Sequence, residues 1–361
     1  MFNGNIGLNQ ERVQDLERLL LTAWEQKQFA GAAWAIVRHG NLAANGVLGT
    51  EGIGDDLPIT DETLFDLASL TKPVATASTA LCLIDRGEML LGDDVRRYFP
   101  EAAPHWTDVT LRHLLTHTSG LPPYAPLYET RRGGEAIRDG ILELEMKAAP
   151  GEKYAYSCLG YILMQHVIQA ITGESLAKVA SDLVFEPLGM GSTGYCPDPD
   201  GPARIASAGR CPHRDKALHG EVHDPVAWGA GGVSGNAGLF APLQDVCKFG
   251  AALLDRGASS IGRVFSPAAA NLMLTNQIDP AVGGHSIGLF TFPNLMLPRG
   301  DLLPRSSVGH TGFTGTSLVL APELDCGAVL LTNCLVHSSD KGAFFRTRRR
   351  FHTLVGAAIG A

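Results

Sequence analysis

The sequence predicts an α/β fold of the α+β type: an antiparallel sheet flanked by helices, with an all-helical lobe inserted into it. Three observations predict it. Strand-like segments occur at both ends of the chain, over 31–48 and 285–335. Helical patterns and long loops fill the middle. Connections such as Ala321-Pro322-Glu323-Leu324-Asp325 are too short for a parallel crossover, so neighbouring strands pair antiparallel. The sheet lobe is therefore expected from residues 1–65 and 285–361, and the helical lobe from 66–284, within a single unit spanning 1–361.

Each element follows from local pattern. A first helix is expected over 9–27, with Val13, Leu16, Leu20 and Trp24 on one face. Strands 31–38 and 42–48 follow, joined by a tight turn at His39-Gly40-Asn41. Helical spacing resumes from Ser69 to Arg86. Leu159, Leu163, Val167 and Ile171 form an apolar stripe, and Gly173 is its stop. Strands are expected over 285–292, 308–313, 316–321 and 326–335, and a final helix over 342–359.

Composition excludes several classes. With 361 residues the chain has length for about two domains. At 45% hydrophobic and 18% charged it is not intrinsically disordered. A net charge of −8 argues against nucleic acid as partner. The basic tail Arg346, Arg348, Arg349, Arg350 reads as a solvated helix face. The longest uncharged run, 225–244, carries five glycines and reads as a loop in water, so no membrane partner is expected. The first residues, Met-Phe-Asn-Gly-Asn-Ile-Gly, lack a basic and then apolar leader, and the seven cysteines include no Cys-x-x-Cys pair. Both point to a cytoplasmic protein with free thiols.

Ser69-Leu70-Thr71-Lys72 is a Ser-x-x-Lys at an expected helix start, where both side chains share a face. A helix N-terminus offers partial positive charge and free N–H groups that stabilise an oxyanion. A neutral amine beside a hydroxyl can take its proton and make serine a nucleophile. The pattern recurs at Ser175–Lys178 and Ser338–Lys341, which read as surface pairs. Gly284-His285-Ser286-Ile287-Gly288 matches a Gly-x-Ser-x-Gly elbow but leads into a strand, not a helix. His113 and His117 share metal-like spacing without the glutamate of a zinc-protease helix, so a polar structural role is expected for both.

What distinguishes Ser69 is its company: Tyr156-Ser157-Cys158 before a helix, and His310-Thr311-Gly312 in a strand. At these residues the chain resembles the serine β-lactamase and penicillin-binding-protein superfamily, most closely its class C β-lactamase-like, esterase-type branch. That branch carries Ser-x-x-Lys, Tyr-x-Asn and Lys-Thr-Gly or His-Thr-Gly in this order. Leu111 to Leu121, Phe185-Glu186-Pro187-Leu188-Gly189-Met190, Ala237-Gly238-Leu239-Phe240 and Gly309 to Gly315 are similar to it as well.

The resemblance implies a β-lactamase/transpeptidase-like fold with the site between sheet and helical lobe. It implies Ser69 as acylated nucleophile, Lys72 and Tyr156 as its proton-transfer partners, and the N–H groups of Ser69 and Phe313 as oxyanion hole. The Lys72–Tyr156 pair is open as to which takes the proton. His310, Thr311, Gly312 and Cys158 would bind substrate, with Tyr124, Trp228 and Phe240 as further pocket candidates. No metal or cofactor is required. Two departures shift the expected substrate. Cys158 stands where the family has Asn, and a thiol is a weak hydrogen-bonding group. His310 stands where β-lactamases have Lys, and histidine is mostly neutral at pH 7. The expectation is a carboxylesterase on small acyl esters. A β-lactamase, D-amino-acid peptidase or amidase is the alternative, and a non-turnover penicillin-binding or sensor protein a third.

Overall fold

The structure is a computed structural model and describes residues 7–54, 57–102, 104–337 and 341–359. Residues 1–6, read above as lacking a leader pattern, and Ser338 of the third Ser-x-x-Lys lie outside the described residues. Its four longest helices are α1 (Gln10–Glu25), α2 (Cys158–Thr172), α3 (Leu243–Leu254) and α4 (Lys341–Ile359). The main sheet comprises β1 (Gly31–Arg38), β2 (Asn41–Gly49), β3 (Val308–Thr311), β4 (Ser317–Ala321) and β5 (Cys326–Thr332).

The sheet order is β3-β4-β5-β1-β2, with every neighbouring pair antiparallel. The two chain ends meet where β1 pairs with β5, placing Trp34 opposite Leu330. His39 and Gly40 between β1 and β2 have φ of 50° and 70°, the backbone hand of a two-residue hairpin. Period-two alternation sends Ala33, Ala35, Val37, Val329 and Leu331 to one face. It sends Ala32, Trp34, Ile36, Ala328 and Leu330 to the other, where α1 and α4 cover them. Helix α3 packs on the first face, against β1, β4 and β5. Both faces are thus buried, and β2 is the partly exposed edge.

Helix α1 begins at a cap: the Asn9 side-chain oxygen accepts from the N–H of Glu11 at 3.0 Å and of Arg12 at 3.3 Å. Ala23, not Trp24, completes its buried stripe. Trp24 stays 39% exposed, and its indole N–H donates to the Ala30 carbonyl at 3.0 Å, bracing the turn into β1.

Other expected elements are shorter or broken. No strand runs over 285–292. Gly288, with φ of 96°, reverses the chain so that the Ser286 N–H meets the Leu289 carbonyl. A single bridge, His285–Phe290, closes this hook on itself, and another, Phe290–Gly309, attaches it to the sheet edge. The helix expected from Ser69 is a 3-10 turn (Ala68–Leu70), a π-helical stretch (Lys72–Ala77) and an α-helix (Ser78–Asp85). The widening has a cause: Pro73 has no N–H to bond back, and its own carbonyl takes the Ser78 hydroxyl at 2.6 Å.

The middle of the chain is built on helices, and its loops also carry short strand pairs. Phe65–Asp66, Leu239–Ala241 and Gly194–Tyr195 form a small three-stranded sheet. The uncharged run 225–244 is a short helix, glycine turns and the central strand of that sheet. Among the described residues no helix is long and apolar enough to cross a membrane.

Candidate active site

Ser69 follows a backbone pinned from several sides. Asp66 is buried, and its carboxylate accepts the N–H of Ala68 at 2.8 Å and of His223 at 2.7 Å. The Thr314 and Thr316 hydroxyls donate to the carbonyls of Asp66 and Leu67, at 2.7 and 3.0 Å. Ala68 is held at φ of 46°, a left-handed conformation costly for any residue but glycine. Gly312 presses on this segment. A Cβ there would lie 2.0 Å from Thr316 Oγ1 and 2.5 Å from the Leu67 carbonyl oxygen. Its role is close approach to the chain preceding Ser69. Burial raises the Asp66 carboxyl to about 6, against the pull of its two backbone donors.

Lys72 is fully buried. Its Nζ donates to Ser69 Oγ at 3.0 Å, to the Asn236 carbonyl at 2.9 Å and to Cys158 Sγ at 3.4 Å. The glycine-rich loop supplies that carbonyl because it can pass close behind: a Cβ on Gly235 would sit 2.0 Å from the Tyr161 carbonyl oxygen. The Tyr156 ring stands over this nitrogen, 5.1 Å from Nζ to centroid. Burial, then the neighbouring Cys158 thiol, raise the Tyr156 phenol well above its ordinary value, while Ser69 beside it acts in the opposite sense.

His310 lies beneath these groups, fully buried. Its ring stacks on Phe290 at 4.2 Å, and Nδ1 donates to the Thr311 carbonyl at 2.9 Å. Burial, followed by the charge of Lys72 and the nearby His285, pushes its pKa well below the usual histidine range. The ring is therefore neutral at pH 7 and presents no charge to a ligand.

Ser69, Tyr156, Thr311, Gly312 and Phe313 open on one cavity of about 420 Å³. Leu295, Met296, Pro298, Phe345, Arg348 and Arg349 complete its wall. Arg348 corrects the reading of the basic tail as a solvated face. It is only 8% exposed, its Nη1 reaches the Gly312 and Thr316 carbonyls at 3.5 and 3.4 Å, and its Nε has no partner among the described residues. Tyr124 and Trp228, expected in the pocket, are not part of this wall. Tyr124 is 50% exposed on its proline-rich loop. Trp228 is held by the guanidinium groups of Arg132 and Arg214, each 5.2 Å from its ring, and lines a separate cleft beside Cys196. Phe240 is core, packed with Leu64 and Ile205.

The remaining motifs have ordinary places. Ser175 caps a short helix and Lys178 pairs with Asp182. Ser286 is buried, its hydroxyl on the Leu289 carbonyl. The His113 ring accepts from the Thr110 N–H at 3.1 Å in a capping box, whereas His117 lies inside, against Tyr156. Asp224 caps the short helix at Pro225. Asp66 and Asn236 went unread as site residues in the sequence, and Arg348 was read as surface. Asp66 alone had a signal there, an acidic residue three positions before the motif serine.

The Beta-lactamase family model matches residues 16–349. The chain belongs to the Beta-lactamase family. It is a serine hydrolase of the β-lactamase and penicillin-binding-protein superfamily. Among relatives, an N-acetylmuramyl-L-alanine amidase of Bacillus subtilis is 28% identical over 84% of this chain and 77% of its own. An Escherichia coli K12 protein described as "Putative D-alanyl-D-alanine carboxypeptidase" is 30% identical over 76% of this chain and 70% of its own. The solved structure of EstCE1, described as a hydrolase with promiscuous acyltransferase activity, superimposes with a TM-score of 0.77. It is 22% identical and covers 95% of this chain and 98% of its own, a likeness of fold.

Proposed function

We propose that this family member is a carboxylesterase that hydrolyses small acyl esters through an acyl-enzyme on Ser69. The observation that carries the reading is the contact of Lys72 Nζ with Ser69 Oγ at 3.0 Å under the Tyr156 ring, beside a neutral His310. Ser69 Oγ attacks the ester carbonyl, and its proton passes to the Lys72–Tyr156 pair. The carbonyl oxygen becomes an oxyanion facing the N–H groups of Ser69 and Phe313, neither of which meets an acceptor among the described residues. The alcohol leaves with the transferred proton. Water then attacks the acyl carbonyl, loses a proton to the same pair, and releases the acid with Ser69 restored. The seven free cysteines fit the reducing, cytoplasmic setting we propose for it.

Arg348 favours a second reading. A buried guanidinium with no carboxylate partner among the described residues, facing the cavity of the nucleophile, suits a substrate with its own carboxylate. The names of the Bacillus and Escherichia relatives point the same way, towards amides and D-alanyl peptides. One experiment separates the readings: kcat/KM for a nitrophenyl butyrate, nitrocefin and a D-alanyl-D-alanine peptide, with Ser69→Ala as control. Ester turnover well above the other two, lost by at least about 10³-fold in Ser69→Ala, supports the esterase. Peptide or nitrocefin turnover equal to or above the ester rate supports the second reading. Full ester activity in Ser69→Ala would remove both.

A further inference from the structure

Against the Tyr156 ring lies a buried residue to which the machinery above gives no role. His117 is 2% exposed, and its backbone is held at φ of 58°, a left-handed conformation. Strain of this kind persists only where the surroundings over-determine it.

Its contacts bracket Tyr156. The residue before, Ala155, donates its N–H to the His117 carbonyl at 2.9 Å. The residue after, Ser157, donates its N–H to His117 Nδ1 at 3.1 Å. The His117 ring lies against the Tyr156 ring with centroids 4.5 Å apart. Backbone and side chain of a single residue thus hold the segment on both sides of the tyrosine. The left-handed φ fits this arrangement, with the carbonyl serving one neighbour of Tyr156 and the ring the other.

The chemistry of the ring is fixed by the same bonds. A backbone N–H only donates, so Nδ1 must keep its lone pair, and the neutral ring carries its hydrogen on Nε2. Nε2 has no partner among the described residues. An unpaired buried N–H is costly, and a phenyl ring would fill the same space without it. What a histidine supplies here that a phenylalanine does not is the Nδ1 acceptor. Burial, then the neighbouring His285, Lys72 and His310, push its pKa well below the usual histidine range and keep it neutral.

We propose that His117 is the positioning residue for Tyr156, clamping residues 155–157 through its carbonyl and Nδ1 so that the phenol stays aimed at Ser69. The proposal rests on the proton-transfer role given to Tyr156 above. It requires a small acceptor at the Nδ1 position on a left-handed backbone, and asparagine meets both conditions. Its side-chain oxygen reaches where Nδ1 stands, and it tolerates positive φ better than most residues. Glutamine keeps polarity and bulk, but its acceptor lies one bond too far. Alanine keeps neither acceptor nor ring.

The test compares His117→Asn, His117→Gln and His117→Ala in ester hydrolysis, alongside hydrogen exchange of the Ala155 and Ser157 amides. A misplaced catalytic group costs about 10²-fold in rate, so Gln and Ala are expected to lower kcat by about 10- to 100-fold. KM should stay within about 2-fold, and both amides should exchange faster. Asn should restore kcat and amide protection most of the way. Wild-type kcat in His117→Gln, or equal losses in Asn and Gln, would overturn the clamp, and this comparison stands even where the Ala variant does not fold. A loss confined to KM would overturn it too. Tyr156→Phe is the separate control: full activity there removes the role of Tyr156, while the amide exchange still reports on the clamp itself.

Discussion

At the residue scale, the site depends on how tightly the chain before Ser69 is gripped. Gly312 is the sharpest case, because a single methyl group there meets Thr316 Oγ1 and the Leu67 carbonyl far inside contact distance. Gly312→Ala should lower stability by about 1–3 kcal/mol, read as a lower Tm. It should also lower ester kcat/KM by about 10-fold or more, since displacing Leu67 and Ala68 moves the nucleophile itself. Near wild-type values for both would show that the segment yields without consequence. Arg348 offers a second test. If its guanidinium receives a substrate carboxylate, Arg348→Met should lower turnover of a carboxylate-bearing ester relative to a neutral one by about 10-fold. An unchanged ratio would detach Arg348 from substrate choice. The sequence disclosed these two residues unequally. Gly312 stood inside a motif, although the reason for a glycine there needed coordinates. Arg348 sat in a basic run whose solvated reading was the ordinary one, and only the turn of helix α4 aims it inward.

At the element scale, motif order was easier to read than element boundaries. Strand-like apolar runs over 31–38 and 326–335 announced a sheet built from both chain ends, because such a run stays visible whatever the limits of the strand. The segment 285–292 did not obey its pattern, since Gly288 at positive φ turns it into a hook. The helix after Ser69 is likewise interrupted by Pro73, whose consequence for the first turns is not visible in apolar spacing. Helix α4 is the element with the most at stake: one side packs the outer sheet face and the other brings Arg348 and Phe345 to the cavity. Phe351 anchors it, fully buried and edge-on to Trp34 of β1 with centroids 6.4 Å apart. Phe351→Ala should cost about 3–5 kcal/mol, measured as a shift of the urea midpoint. A shift worth less than about 1 kcal/mol would mean that α4 is a loosely held flap, not a wall of the site.

At the scale of the whole molecule, the fold encloses polar groups that it must keep uncharged, and this makes its stability depend on pH. Burial pushes His285 and His352 down to about 3, and His166 and His223 to about 4. In the unfolded chain each would titrate near 6.5. Between those values the unfolded state binds protons that the folded state refuses, so stability rises with pH across the window and falls on acidification. Each such histidine contributes about 1.4 kcal/mol per pH unit below 6.5, until its folded pKa is reached. Asp66 acts in the opposite direction. Its carboxyl is raised to about 6, so between its unfolded value near 3.8 and 6 the folded state holds a proton that the unfolded state lacks. Acidification through that window therefore adds stability, but one aspartate offsets only one histidine, while His117 and His310, also pushed down by burial, add to the loss. The net direction is loss. The Tm should be level between about pH 7 and 8 and fall steeply between about pH 6.5 and 4.5, where the refused protons accumulate. Calorimetry across that range checks it, and an equal Tm at the two ends would mean that these histidines accept protons without opening the fold.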